Sequence, residues 1–291
     1  MLKMITLNNN SDSFRSLSTI FTPANFRRIV KESNINPTLG KIKKHVGRTK
    51  NRTFVSVLEF LYREMQANYR NEYVFKNTLL NKELLEYYSL SNTTVLNEFR
   101  IGSSVADLVL LNGEIRVFEI KTDLDSLEKL DKQIQDYQKF ANKVFVVISQ
   151  RNVDRMMGKY DKTKVGIIVL EENGLLTHLK DAESQIEMLD HEALFKTMRQ
   201  GEYCELIREH FDELPNVPNT RIFSECLRFA REIEISTFQS SVMAKLKSRN
   251  LRCPELLAST ETPMELKHIC CTLDFSRYEY GNLYSFLNRS L

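Results

Sequence analysis

From residue 54 to 69 the apolar side chains Phe54, Val57, Leu58, Leu61, Tyr62 and Met65 return every three or four positions, the spacing that gathers them on one helix face. A second helix is predicted over 72–88, with Val74, Phe75, Thr78, Leu79 and Leu84 inward and 89–93 as its exit turn. The period then changes. Residues 94–100 (TVLNEFR), 105–111 (VADLVLL) and 115–121 (IRVFEIK) are short, rich in β-branched and aromatic residues, and separated by Gly-containing turns, which predicts a strand meander. Asp123 and Ser126 are expected to open a helix that carries Leu127, Leu130, Ile134, Tyr137 and Phe140 on one face and ends near Asn142. The runs 143–149 (KVFVVIS) and 165–171 (VGIIVLE) are almost uninterrupted apolar stretches, the pattern of strands buried on both faces. Strand, helix, strand implies a parallel crossover. After His178 the pattern turns helical, over 187–212, 219–235, 237–250 and 263–271, punctuated by Pro215 and Pro218. The expected class is α/β, a mixed sheet flanked by helices, followed by an all-helical C-terminal region.

Composition narrows the function classes. With 42% hydrophobic and 27% charged residues, nine Gly and six Pro in 291 residues, the chain reads as an ordinary globular protein without low-complexity linkers. No apolar run has the length of a membrane span, and the start, MLKMITLNNN, lacks the apolar stretch of a secretory signal, so a cytoplasmic protein with no membrane partner is expected. Five Cys (204, 226, 253, 270 and 271) form no C-x-x-C pair and the five His no H-x-x-x-H spacing, which argues against structural zinc and for reduced thiols. Phosphate-loop, dinucleotide and nucleophile-elbow signatures are absent from the sequence.

The net charge of +3 hides an uneven distribution, because residues 14–52 hold ten Lys or Arg and one acid, Glu32. The densest part, Lys41, Lys43, Lys44, Arg48, Lys50 and Arg52, is the candidate nucleic-acid-binding surface. Charge alone fits a solvated helix face equally well. A smaller basic cluster, KLKSRNLR, lies at 245–252. Three segments are expected: a basic N-terminal stretch over 1–53, the α/β core over 54–180 and the helical region over 181–291.

Charge inside apolar strands carries the chemistry. Asp107 interrupts the run VADLVLL, and twelve residues later Glu119-Ile120-Lys121 ends the next strand. Side chains alternate faces along a strand, so Glu119 and Lys121 point one way and Ile120 the other. A buried carboxylate pair would drive one pKa upward unless a cation kept both ionised, and oxygen ligands suit Mg²⁺ or Mn²⁺. The Glu-x-Lys spacing recurs at Glu265-Leu266-Lys267, so only its context, Asp in a strand, tight turn, Glu-x-Lys strand and then helix, is informative.

In that order of residues the sequence resembles the PD-(D/E)XK nuclease superfamily, in particular members carried by bacterial mobile elements and defence loci. The matching residues are Asp107, Glu119 and Lys121, with Gln133 and Tyr137 of QIQDY on the following helix; Ala106 stands where a Pro often precedes the first acid. The resemblance implies a restriction-endonuclease-like mixed sheet and a metal-dependent nuclease that hydrolyses DNA phosphodiesters, an enzyme of phage defence or mobile-element biology. It implies Mg²⁺ or Mn²⁺ held by Asp107, Glu119 and the Ile120 carbonyl, with Glu72 or Glu98 as a further carboxylate and DNA as partner. Lys121 would orient the attacking water or bind phosphorane oxygens, while Gln133 and Tyr137 would align the substrate or support Lys121. Competing readings are a structural salt bridge at the triad, a non-catalytic DNA-binding or assembly module, and a nuclease subunit active only in a larger complex. The helical region leaves a homodimer or a partner protein open.

Register supplies a check independent of resemblance. A two-residue turn at Asn112-Gly113 would set Asp107 opposite Phe118, so Asp107 and Glu119 would face opposite sides. A shared face requires an odd loop or a bulge, with Gly113 left-handed.

Overall fold

The structure, a computed structural model, describes residues 6–7, 11–47 and 49–291. The short strand β1 (Thr6–Leu7) is followed by helices α1 (Ser11–Ser18), α2 (Pro23–Glu32) and α3 (Asn36–His45), then by β2 (Val46–Gly47), antiparallel to β1. Helices α4 (Phe54–Asn68) and α5 (Glu72–Leu79) precede a meander of β3 (Thr94–Ile101), β4 (Ser104–Asn112) and β5 (Glu114–Lys121). Next come α6 (Leu130–Gln138), β6 (Lys143–Ser149), α7 (Val153–Tyr160), β7 (Gly166–Leu170) and β8 (Leu176–Lys180). The remainder is α8 (His191–Phe195), α9 (Gln200–Phe211), α10 (Asn219–Ala230), α11 (Ile235–Lys247), α12 (Pro254–Ala258), α13 (Lys267–Leu273) and α14 (Arg277–Leu287). Among the described residues no helix is long and apolar enough to cross a membrane.

Two compact units result: Met1–Ser91 with Leu170–Leu176 and Leu251–Leu291, and Asn92–Val169 with Thr177–Asn250. They cut across the three consecutive segments 1–53, 54–180 and 181–291 expected from the sequence, because side-chain packing rather than chain order decides which helices share a core.

The second unit is built on a six-stranded sheet in the order β3-β4-β5-β6-β7-β8. The β3/β4 and β4/β5 pairs are antiparallel and β5/β6 is parallel, so the sheet is mixed and the crossover through α6 is as predicted. Val109, Leu111, Val117, Val144, Val146 and Ile148 form a core with Leu130, Ile134 and Phe140 of the α6 segment and with Leu194, Phe195, Leu206, Phe238 and Val242 of α8–α11. Phe238 has no solvent exposure, and burying a side chain of that size contributes roughly 1.5–3 kcal/mol.

In the first unit the last forty residues pack on the early helices. The Phe54 and Phe286 rings lie 4.5 Å apart, and Leu291 N–H donates to the Arg52 carbonyl at 2.8 Å. Fully buried Asn77 donates to Tyr62 Oη (2.9 Å) and the Met264 carbonyl (2.9 Å), and its Oδ1 accepts from His268 N–H (3.0 Å).

Several boundaries differ from the pattern reading for local reasons. The helix predicted over 72–88 gives way to a π-helical stretch, Leu80–Leu85. Asn81 Nδ2 donates to the Asn77 carbonyl at 2.8 Å, the acceptor a regular helix would offer to the Asn81 backbone N–H. Neither Asp123 nor Ser126 caps α6; Thr122 N–H and Oγ1 donate to Asp125 Oδ2 (2.8 and 2.7 Å), a closed turn that delays the helix to Leu130. The short β8 (LTHLK) was hidden by its mixed polarity at the sheet edge, and α14 begins with a reciprocal cap between Ser276 and Glu279.

The β4–β5 turn meets the register condition set out from the sequence: Asn112 pairs with Glu114, Leu108 with Phe118, and Gly113 has φ 68°. A Cβ at Gly113 would meet nothing within 4 Å, so only backbone strain opposes a side chain there. Gly113→Ala is therefore expected to destabilise the protein by about 1–2 kcal/mol, read as a lower urea midpoint with an unchanged m value.

Candidate functional site

The β4/β5 register carries Asp107 onto the same face as Glu119 beyond the last ladder pair, Leu108↔Phe118. On the other side, Asn97 pairs with Leu108 and Phe99 with Ala106, which sets Glu98 across from Asp107. Glu98, Asp107 and Glu119 thus form one row across three neighbouring strands. Like charges directly opposite each other destabilise a sheet, so each carboxylate requires compensation.

Glu119 is 2% exposed and receives donors at both oxygens. Lys121 Nζ (2.7 Å) and Gln133 Nε2 (2.5 Å) donate to Oε1, and Tyr137 Oη donates to Oε2 at 2.7 Å. The same hydroxyl lies 2.9 Å from the Val105 carbonyl. Burial first, and then the Glu119 charge, hold the Tyr137 phenol well above its ordinary pKa, so it remains a donor. The four residues singled out in sequence, Glu119, Lys121, Gln133 and Tyr137, are therefore brought together as one closed hydrogen-bonded group between β5 and α6.

A contact without any sequence signal orients α6. Asp136 Oδ2 accepts from Ser103 N–H (3.2 Å), Ser103 Oγ (2.9 Å) and Ser104 Oγ (2.7 Å), directly under the turn at Gly102, where φ is 60°. Burial raises the Asp136 pKa, but the hydrogen bonds from Ser104 and Ser103 outweigh it and the net shift is downward. The stability it contributes is present above the ordinary carboxylate range and is lost as pH falls through the lowered value.

Asp107 is half-buried, and its Oδ2 accepts from Ile120 N–H at 2.8 Å. Glu98 is exposed and has φ 50°, a left-handed conformation that is strained for a glutamate inside a strand. In that conformation a Glu98 carboxylate oxygen lies within 4.8 Å of one from Asp107. Two carboxylates at this spacing, hard oxygen donors without nitrogen or sulfur, would suit Mg²⁺ or Mn²⁺. Asp107 and Glu98 would hold such an ion, and it would supply positive charge to the row. Glu119 has both oxygens committed to the protein's own donors, and the observed part of Ile120 is its N–H rather than its carbonyl. Glu72, the other candidate carboxylate, belongs to the first unit, where it opens α5 and pairs with Lys76 at 2.6 Å.

The basic N-terminal stretch folds into the helices of the first unit. Arg27 and Arg28 on α2, Lys43 and Lys44 on α3, and Lys50 beyond it are exposed, and among the described residues they form no ion pair. Lys41 donates to Thr19 Oγ1; burial and then the nearby Arg28 charge lower its pKa, so cations of α2 and α3 share one field. Arg52 is half-buried, and Arg48 lies outside the described residues. By contrast, three cations of the 245–252 cluster are paired: Lys245 with Glu209 (2.6 Å), Arg249 with Glu202 (2.5 Å) and Arg252 with Asp274 (3.2 Å).

The architecture is thus an α/β protein with a six-stranded mixed sheet flanked by helices, a helical C-terminal region, and a polar group closed between the sheet and its first crossover helix. The chain belongs to the bacteriophage P4 protein cII family, which it matches over residues 65–267. Protein cII of Enterobacteria phage P4 is 24% identical over 165 residues, 55% of this chain, and the chain spans 61% of that protein's length. A solved protein of unknown function from Silicibacter pomeroyi aligns with 36% of this chain and 70% of its own at 16% identity, with a TM-score of 0.28.

Membership in the cII family overturns the assignment to the PD-(D/E)XK superfamily made from Asp107, Glu119 and Lys121, and with it the reading as a DNA-hydrolysing nuclease of defence or mobile-element biology. The spacing misled because an Asp and a Glu-x-Lys on adjacent strands also serve a closed structural network, as Glu119 does here.

Removing one member of that network leaves a buried charge or donor unmatched. Lys121→Met is expected to destabilise by about 3–5 kcal/mol and Tyr137→Phe by about 1.5–3 kcal/mol in urea unfolding. Glu119→Gln combined with Lys121→Met should fall short of the summed single losses; strict additivity would show that the group does not act as a unit.

Proposed function

We propose that this chain is a DNA-binding protein that contacts the phosphate backbone through the basic face of α2 and α3 and carries a divalent cation at Asp107 and Glu98. The observation that carries the DNA reading is the set of exposed cations on α2, α3 and the turn after them, Arg27, Arg28, Lys43, Lys44 and Lys50, that have no carboxylate partner among the described residues. Some surface cations elsewhere are held by acids, as in Lys159–Asp131 and Lys196–Glu192, both within 2.7 Å. Like charges left together repel one another, and a polyanion relieves that repulsion while releasing its own condensed counterions. Contacts of this kind fix position on the duplex and carry no base sequence.

The cation supports the second unit by a different route. Its support is the spacing of the Glu98 and Asp107 carboxylate oxygens, within 4.8 Å of one another, and the hard oxygen donors they offer a divalent ion.

Two measurements test these parts separately. Duplex binding across a salt series should show log K falling with log[salt], and Lys43→Ala with Lys44→Ala should reduce that slope by about 1.8; an unchanged slope would remove the basic face from the interface. Calorimetric titration with Mg²⁺ or Mn²⁺ should show uptake that Asp107→Asn weakens about tenfold or more, with the fold retained by circular dichroism.

A further inference from the structure

His268 sits in the first turn of α13 against α5, 6% exposed, with its ring edge-on to Tyr73 at 6.0 Å between centroids. Both ring nitrogens are buried without a hydrogen-bond partner, although the backbone around them is well tied: His268 N–H donates to Asn77 Oδ1 and its carbonyl accepts from Thr272 Oγ1 at 2.8 Å. Buried polar groups are nearly always matched, so an imidazole that is not matched at either nitrogen calls for an explanation. The ammonium of Lys76, also buried, stands on the same helix of α5 that His268 packs against, held by Glu72 at 2.6 Å.

We propose that His268 makes the seating of α13 on α5 sensitive to acid: neutral imidazole fits between Tyr73 and Lys76, and the protonated ring does not. Among the described residues neither ring nitrogen has an acceptor to receive the added proton. The elements packed on α13 bring Tyr73, Lys76 and Glu72 from α5, Lys82 and Glu83 from the π-helical stretch, Lys31 from α2, Glu255 from α12 and Glu265 from the preceding turn, with Lys267, Cys270 and Cys271 on α13 itself. Of these, only Lys76 acts on the imidazole charge. Lys82 and Lys31 are each neutralised by a glutamate, Glu86 at 2.5 Å and Glu279 at 3.0 Å.

Burial, and then the Lys76 charge, push the His268 pKa down from 6.5 to about 3. The unfolded chain, with an ordinary imidazole, takes up a proton below about pH 6.5 that the folded state refuses. Stability is therefore complete above that pH and falls as pH drops toward the folded value, about tenfold in the folding constant per unit, or about 30-fold between pH 7.5 and 5. Carboxylates titrate mainly below this window.

The test compares the pH dependence of unfolding between pH 7.5 and 5 for the full chain and for His268→Gln, which keeps a neutral polar side chain. His45 also has a lowered pKa, from burial and then Lys44, and contributes equally to both proteins. The wild type should lose about 30-fold more in folding constant across the window than the variant does. Parallel pH profiles would overturn the proposal. Ring NMR signals of His268 in the wild type give a second readout that needs no variant: they should stay neutral through pH 5 while the protein is folded, and titration near pH 6.5 would overturn it equally.

Discussion

A carboxylate buried between a sheet and a helix must be matched completely or it destabilises both, and Glu119 sets that requirement for the second unit. Lys121 two residues along β5 supplies the counter-charge, and Gln133 and Tyr137, four residues apart on one face of α6, supply the neutral donors. The position of α6 over β5 is therefore fixed by chemistry as well as by the apolar contacts of Leu130, Ile134 and Phe140. Asp136 extends the same logic to the β3–β4 turn, so one short helix is tied to two strand connections. The row continues outward to Asp107 and Glu98, where the backbone at Glu98 is strained.

The first unit solves a different problem. Its early helices are short, and single short helices are marginal in water. Residues 251–291 complete their core, through the Phe54–Phe286 contact, the Asn77 amide and the Tyr73 hydroxyl on the Glu265 carbonyl. A consequence is that His268 arrives in a place where nothing matches its ring nitrogens, and the same packing that completes the core also makes that core responsive to protons.

Surface charge is divided unevenly between these solutions. Acids and bases on α9 and α11 neutralise each other, as Lys245 and Arg249 do, and their sequence clustering has no electrostatic consequence at a distance. On α2 and α3 the only acid of the stretch, Glu32, cannot balance its neighbours, and the field persists. Clustered basic residues thus mean different things at 27–50 and 245–252.

The local pattern alone determined the α/β class, α4, the three meander strands and the parallel crossover, because periodicity is a property of neighbouring residues; between the two turns it allowed at Gly113, the fold decided. Glu119, Lys121, Gln133 and Tyr137 were marked as a group only through the resemblance that family membership overturned, since Glu-x-Lys spacing recurs at Glu265-Leu266-Lys267. What those residues do was not legible there: whether a carboxylate is open to a ligand or closed by its own chain depends on where α6 sits, and that is set by contacts between residues far apart in sequence. For the same reason the sequence could not tell paired from unpaired lysines, or foresee Asp136 under the turn at Gly102 and His268 beside Lys76. Only the folded chain brings those groups within reach of one another, and the energy of a charge is decided by what lies within a few ångströms of it.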